Sequence, residues 1–167
     1  MSKAKIIALI GLIAFAFSMT AIGNALAGEK VKLRNAWYMT KWQQLETGHE
    51  EGHVVALIER KGICSNMEGK ALFEGMVGTH AGFVDMNLKT GLGSGKGYCI
   101  YTDKDGDKIY EMWEGKNVGQ GWRGPSTLLK GTGKYEGIKA KGTWIFYPVS
   151  PTQAYADWEL DVELPGR

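Results

Sequence analysis

Surplus charge of either sign is scarce in this sequence. Its 167 residues carry 20 Lys+Arg against 18 Asp+Glu, and no stretch concentrates the basic ones. Nucleic acids and anionic membranes are held by basic surfaces, so neither is an expected partner. Cysteine is also scarce: there are two, Cys64 and Cys99, and no Cys-x-x-Cys pair. Only four prolines occur, all after residue 124. Gly-x-Ser-x-Gly is absent; Gly93-Ser94-Gly95 is too tight to fit it, and Ser126 has no nucleophile context. No dinucleotide or phosphate loop occurs, because Gly131-Thr132-Gly133 runs on into Lys134-Tyr135-Glu136-Gly137 rather than a Walker sequence. No cofactor is expected. Internal repeats and low-complexity linkers are missing too.

What is present begins with an export signal. Lys3 and Lys5 precede an apolar run from Ile6 to Phe17, and Ala25-Leu26-Ala27 supplies a small-x-small cleavage site. The run is short for a spanning helix, which needs about 20 apolar residues. No cysteine follows it to anchor a lipoprotein. The sequence predicts a signal peptide at 1–27 and a single domain at 28–167, periplasmic or secreted, with no membrane attachment after cleavage. Removing Lys3 and Lys5 leaves 18 charges of each sign. In an oxidising compartment two cysteines read either as a disulfide or as two buried free thiols. A bridge closing a loop of this size typically contributes about 2–4 kcal/mol.

Glycine and tryptophan are plentiful, at 24 and 6 residues, and the chain reads as short strands broken by glycine turns. Strands are expected at Lys30–Trp37, Val54–Ile58, Leu72–Val77, Gly82–Leu88, Tyr98–Thr102, Lys108–Glu114, Gly142–Tyr147 and Asp157–Leu164. In the first, Val31, Leu33 and Trp37 share one face and Lys30, Lys32 and Arg34 the other. In the last, Asp157, Glu159, Asp161 and Glu163 alternate with Trp158, Leu160, Val162 and Leu164. Trp42 to Gly52 reads as a polar loop or helical turn. Glu59 to Gly62 reads as a strand end. The alternate glycines Gly91, Gly93, Gly95 and Gly97 favour a bend or wide loop over a packed strand. Asp103-Lys104-Asp105-Gly106-Asp107 is a hairpin signal, since Asp-Gly supplies the positive φ of the turn. The fold class predicted is all-β: an antiparallel barrel of about eight strands.

Two motifs invite a metal reading and neither sustains it. His49-Glu50-Glu51-Gly52-His53 matches H-E-x-x-H, which binds zinc only when a helix puts both histidines on one face. Gly48 and Gly52 weaken a helix here, and an extended chain would hold the histidines about 13 Å apart. His80 is the only other histidine. Asp103, Asp105 and Asp107, with Glu114, imitate a calcium loop, but Gly106 is fourth where an EF-hand needs it sixth. No metal site is expected.

Aromatic residues are the remaining lead. Trp37, Tyr98, Trp113 and Trp144 are the candidate ligand-binding residues, against the alternative that each is simply core. The segment from Lys130 to Trp144, with Gly131-Thr132-Gly133-Lys134-Tyr135 and Gly137-Ile138-Lys139-Ala140 at its centre, resembles the turn-and-strand signature of allene oxide cyclase-like and dirigent-like β-barrels. Lys130 and Ala140 stand where those families often have glycine. The resemblance implies an eight-stranded antiparallel barrel around a cavity, with the Tyr135 aromatic plugging one end. Plant members cyclise an unsaturated epoxide or guide radical coupling by holding a reactive molecule in one shape, but no catalytic pattern of theirs carries over to these residues. The first expectation is therefore a barrel that binds a small hydrophobic or aromatic molecule without catalysis. The second is a cyclase or isomerase with Glu59 or Glu114 as a buried polarising acid. The third is an interaction or assembly protein using the outer wall, oligomerisation being left open.

Overall fold

A computed structural model describes residues 28–117, 119 and 121–164. The predicted signal peptide at 1–27 lies outside the described residues. Eight strands run β1 Glu29–Glu46, β2 His53–Asn66, β3 Val77–Asn87, β4 Gly93–Thr102, β5 Lys108–Asn117, β6 Trp122–Gly131, β7 Lys139–Pro148 and β8 Gln153–Glu163. Each pairs antiparallel with its sequence neighbours, and β1 pairs with β8, so the sheet closes. Closure removes every unpaired strand edge.

Period-two alternation decides which side chains point inward. On β1, Val31, Leu33, Asn35 and Trp37 are buried and the residues between them exposed. On β8, Trp158, Leu160 and Val162 are buried while Glu159, Asp161 and Glu163 face water. The outward charges pair across strands: Arg34 holds Asp157 through two hydrogen bonds of 2.7 Å, and Lys32 lies 3.1 Å from Glu159.

The expected strand count is right, but two elements differ. Leu72–Val77 is not a strand; residues 71–75 form a turn before β3. Asn66 organises that turn by accepting from Glu68 N (2.9 Å) and donating to Leu72 O (2.8 Å). The strand missing from the expected set is β6, whose Gly124 and Pro125 disguise it. Boundaries also move, three of them through stretches expected to be loop, bend or strand end. β1 continues through the polar stretch to Glu46, β2 passes straight through Glu59–Gly62 to Asn66, and Gly93, Gly95 and Gly97 belong to β4. Glycine is needed there because aromatic rings lie against the backbone.

The two barrel ends differ. At one, the β2–β3 turn buries Phe73 and Met76, and the short 3-10 turn Gly133–Tyr135 buries Tyr135, with Ile138 just after it. Tyr135 thus plugs this end as the resemblance implies. The Asp103–Asp107 hairpin forms as expected, with Gly106 at φ +88°, and is bound to the plug: Lys134 Nζ lies 2.5 Å from Asp103 and 2.6 Å from Asp105, and Tyr135 Oη donates to Asp103 at 3.1 Å. These contacts, with Lys134 foremost, pull the Asp103 carboxyl down to about 2. The acidic hairpin is therefore tied to the plug by a lysine that bridges two of its carboxylates. The opposite end stays open.

Candidate functional site

A cavity of about 300 Å³ enters the barrel from the open end. Its wall carries Trp37, Trp113, Trp144 and Trp158 deep inside, with Trp42, Trp122 and Phe146 nearer the mouth. The inner rings form a chain around the wall. Trp37 and His80 have centroids 5.6 Å apart, His80 and Trp113 4.7 Å, Trp113 and Trp144 5.9 Å, and Trp144 and Trp158 6.4 Å. The Trp113–Trp144 contact is edge-to-face at 87°, an arrangement the ring quadrupoles favour.

Glycines make this ring chain fit. Trp113 is opposite Gly97, and Gly97 is opposite Gly82, so the indole crosses two bare strands. Trp37 has the same relation to Gly62 and Gly78. A Cβ at Gly78 would sit 2.7 Å from Trp37 Cη2, and one at Gly97 2.9 Å from Trp113 Cζ2. Both are closer than real side chains approach, so the glycines on β2, β3 and β4 are the sockets of the tryptophans on β1 and β5.

Three features make the cavity more than an apolar hole. Among the described residues, Arg60 is the only one lining the cavity that carries a full charge. Its guanidinium lies 4.7 Å from the Phe146 ring centroid, and burial lowers its pKa to about 10. His80 is stacked on Trp113, and burial, with the Arg60 charge second, lowers its pKa to about 3, so it is neutral. Trp113 is buried, and its Nε1–H has no partner.

Beneath the cavity lies a separate polar cluster centred on Glu111. Its carboxylate accepts from Tyr101 Oη at 2.8 Å, from Trp158 Nε1 at 2.9 Å and from Ser126 Oγ. Asn35 donates on to Tyr101 Oη at 3.3 Å. Burial pushes the Glu111 pKa up while these donors pull it down. Glu111 does not line the cavity; Trp158 stands between the two and contacts both.

The expected site residues divide cleanly. Trp37, Trp113 and Trp144 come together on the cavity wall. Tyr98 does not: it is 59% exposed on the outer face, one residue out of phase with the inward Tyr101. Glu59 and Glu114 likewise point outward and are exposed, Glu59 lying 3.5 Å from Lys41. Neither is placed to polarise a molecule inside the barrel, so the cyclase expectation loses both of its named acids. Cys64 and Cys99 are free, buried thiols, not a disulfide. Cys64 is on β2 and Cys99 on β4, with β3 between them. Cys99 is level with His80 and Arg60, four residues from Cys64. That is about 13 Å along the strand, beyond the reach of a bridge.

His49 and His53 are not extended. A turn brings their ring centroids to 4.4 Å, and with Glu50 they form a group whose donor atoms lie within 4.8 Å of one another. The donors already have protein partners: His53 Nε2 is 2.5 Å from Asp85, and His49 Nδ1 is 2.8 Å from Thr47.

Residues absent from the sequence expectation are Arg60, His80, Trp122 and Phe146; Trp158, expected on the inward face of the last strand, also lines the cavity. Parity with Ile58 places Arg60 inside, and parity with Val84 places His80 there. Both signals are present in the sequence, but charge and polarity obscure them.

No protein-family model and no curated protein matches the chain. Solved structures do. The pterocarpan synthase dirigent protein PsPTS1 superposes with a TM-score of 0.51 at 8% identity, covering 81% of this chain and 96% of that one. The pterocarpan synthase dirigent protein GePTS1 gives 0.50 at 10% identity, over 80% and 88%. A pyocyanin demethylase gives 0.45 at 13% identity, over 80% and 100%. The class defined is a closed antiparallel β-barrel, and at these identities the likeness to the dirigent proteins is one of fold.

Proposed function

We propose that this barrel binds a small, flat, hydrophobic or aromatic molecule in its open-ended cavity and holds it without covalent chemistry. The observation that supports this reading is the indole-walled cavity of about 300 Å³. That is at the lower end of the range for small-molecule sites, about 300–1,000 Å³. Such a wall offers large apolar area and ring faces for stacking. The dirigent proteins of the same fold bear the name pterocarpan synthase, which is in keeping with an aromatic occupant. With residues 1–27 as an export signal, the ligand would be met outside the cytoplasm. The direct test is native mass spectrometry of protein purified from its own host, paired with tryptophan-fluorescence titration. A retained small molecule, lost with Trp113→Ala and Trp144→Ala, is expected. A consistently empty cavity and no quenching by any aromatic probe would overturn the reading.

A second reading is favoured by one observation on the outer wall. Leu57, Phe83, Tyr98 and Met112 are exposed there, and Leu57 is opposite Phe83 as Tyr98 is opposite Met112. This apolar strip suits association between barrels. Light scattering after size exclusion tests it: an oligomer that Phe83→Glu converts to monomer supports the reading, and a monomer at all concentrations sinks it.

A further inference from the structure

We propose that the molecule this cavity accepts is an anion, an aromatic or otherwise flat monocarboxylate, whose negative group is received by Arg60. The proposal rests on the cavity reading above and adds the ligand's charge.

Three observations converge on it. First, the lining contains no Asp or Glu, so the Arg60 charge has no counter-charge in the cavity. Among the described residues no ion pair involves Arg60; its guanidinium rests on the Phe146 ring face. Charged side chains withdrawn from water are ordinarily paired. By contrast, outward Arg34 has Asp157 and Lys134 has two aspartates, although both stand in water.

Second, the surroundings favour the charged pair once it forms. Tryptophans and Phe146 keep the local dielectric low, which strengthens attraction between opposite charges. The guanidinium is a rigid fork that matches a carboxylate in two parallel hydrogen bonds. Its packing on Phe146 orients it before a ligand arrives.

Third, a residue of the cavity wall carries a second donor. The Trp113 Nε1–H is buried without an acceptor. An unpaired buried donor is costly, and a ligand oxygen that reaches it as the wall adjusts would relieve it. The buried carboxylate of Glu111 is already engaged by Tyr101, Trp158 and Ser126 and lies outside the cavity. Neutral His80 adds no charge of its own.

The experiment compares two probes of one shape, 2-naphthoate and 2-naphthylmethanol, by calorimetry on the unaltered chain and on Arg60→Gln and Arg60→Lys. The unaltered protein is expected to bind the carboxylate at least tenfold more tightly than the alcohol. Arg60→Gln should bring the two affinities within about twofold by weakening only the carboxylate, and Arg60→Lys should keep part of the preference. If the alcohol binds and the carboxylate is no tighter, or if the preference survives Arg60→Gln, the anion proposal is overturned while the cavity reading stands. If neither probe binds the unaltered protein, both are overturned. The comparison on unaltered protein decides the question even where a variant folds poorly.

Discussion

His80 lies flat against Trp113, with ring centroids 4.7 Å apart and planes 17° from parallel. Stacked there beside Arg60, the imidazole is held neutral, its pKa lowered to about 3, chiefly by burial. In the unfolded chain a histidine protonates near pH 6.5. Between about pH 6.5 and 3 the unfolded state therefore binds the extra proton, and folding stability falls as pH falls. The slope from this one group approaches about 1.4 kcal/mol per pH unit. His80→Gln is expected to flatten that segment of the profile, measured by urea denaturation from pH 7 to 4. Parallel profiles for the two proteins would show that His80 is not the titrating group.

Glu111 anchors the polar cluster below the cavity. Glu111→Ala strands three buried donors, on Tyr101, Ser126 and Trp158. Each stranded donor costs about 1–3 kcal/mol, so a loss of about 3 kcal/mol or more in urea stability is expected. Glu111→Gln keeps the shape and one acceptor and should cost less. Equal losses for the two variants would mean that packing rather than hydrogen bonding holds this layer.

The glycine sockets can be tested as coupled pairs. The three atoms nearest a Cβ added at Gly78 belong to the Trp37 and Tyr101 side chains, Trp37 Cη2 being closest at 2.7 Å. Gly78→Ala should destabilise by about 1–3 kcal/mol, as overpacking does. In a Trp37→Leu background the same change should cost much less. A double-mutant cycle reads this coupling directly, and additive effects would refute the socket.

The thiols give a chemical test of the free, buried state. Burial pushes both Cys64 and Cys99 above the ordinary thiol range, and only a thiolate reacts well. Native protein should leave a disulfide reagent such as DTNB unconsumed at pH 8 and release two equivalents on unfolding. Its melting temperature should not change with dithiothreitol. A drop in melting temperature on reduction would instead reveal a bridge.

Much of the barrel was legible where one face is charged and the other apolar. β1 and β8 show this, and their inward residues follow from parity. Legibility failed where both faces carry apolar groups. In Tyr98–Thr102 the outward Tyr98 and Ile100 match the inward Cys99 and Tyr101 in character, so alternation carries no phase. It failed again at the glycines of β4, because a strand that cradles a tryptophan on a distant segment looks locally like a bend. Glu111 was readable two positions before Trp113, on the same face, yet Glu59 and Glu114 are as acidic, and only phase separates them. Arg60 was the hardest: a charge inside a barrel contradicts the usual pattern, and contradictions of this kind mark function more often than folding.

The sealed end bound by Lys134 and Tyr135 has a kinetic meaning. A tube open at both ends lets an incoming molecule push the resident one out ahead of it. This vessel has a single doorway, so departure must precede replacement. Release should therefore proceed at a rate that does not depend on how much competitor waits outside.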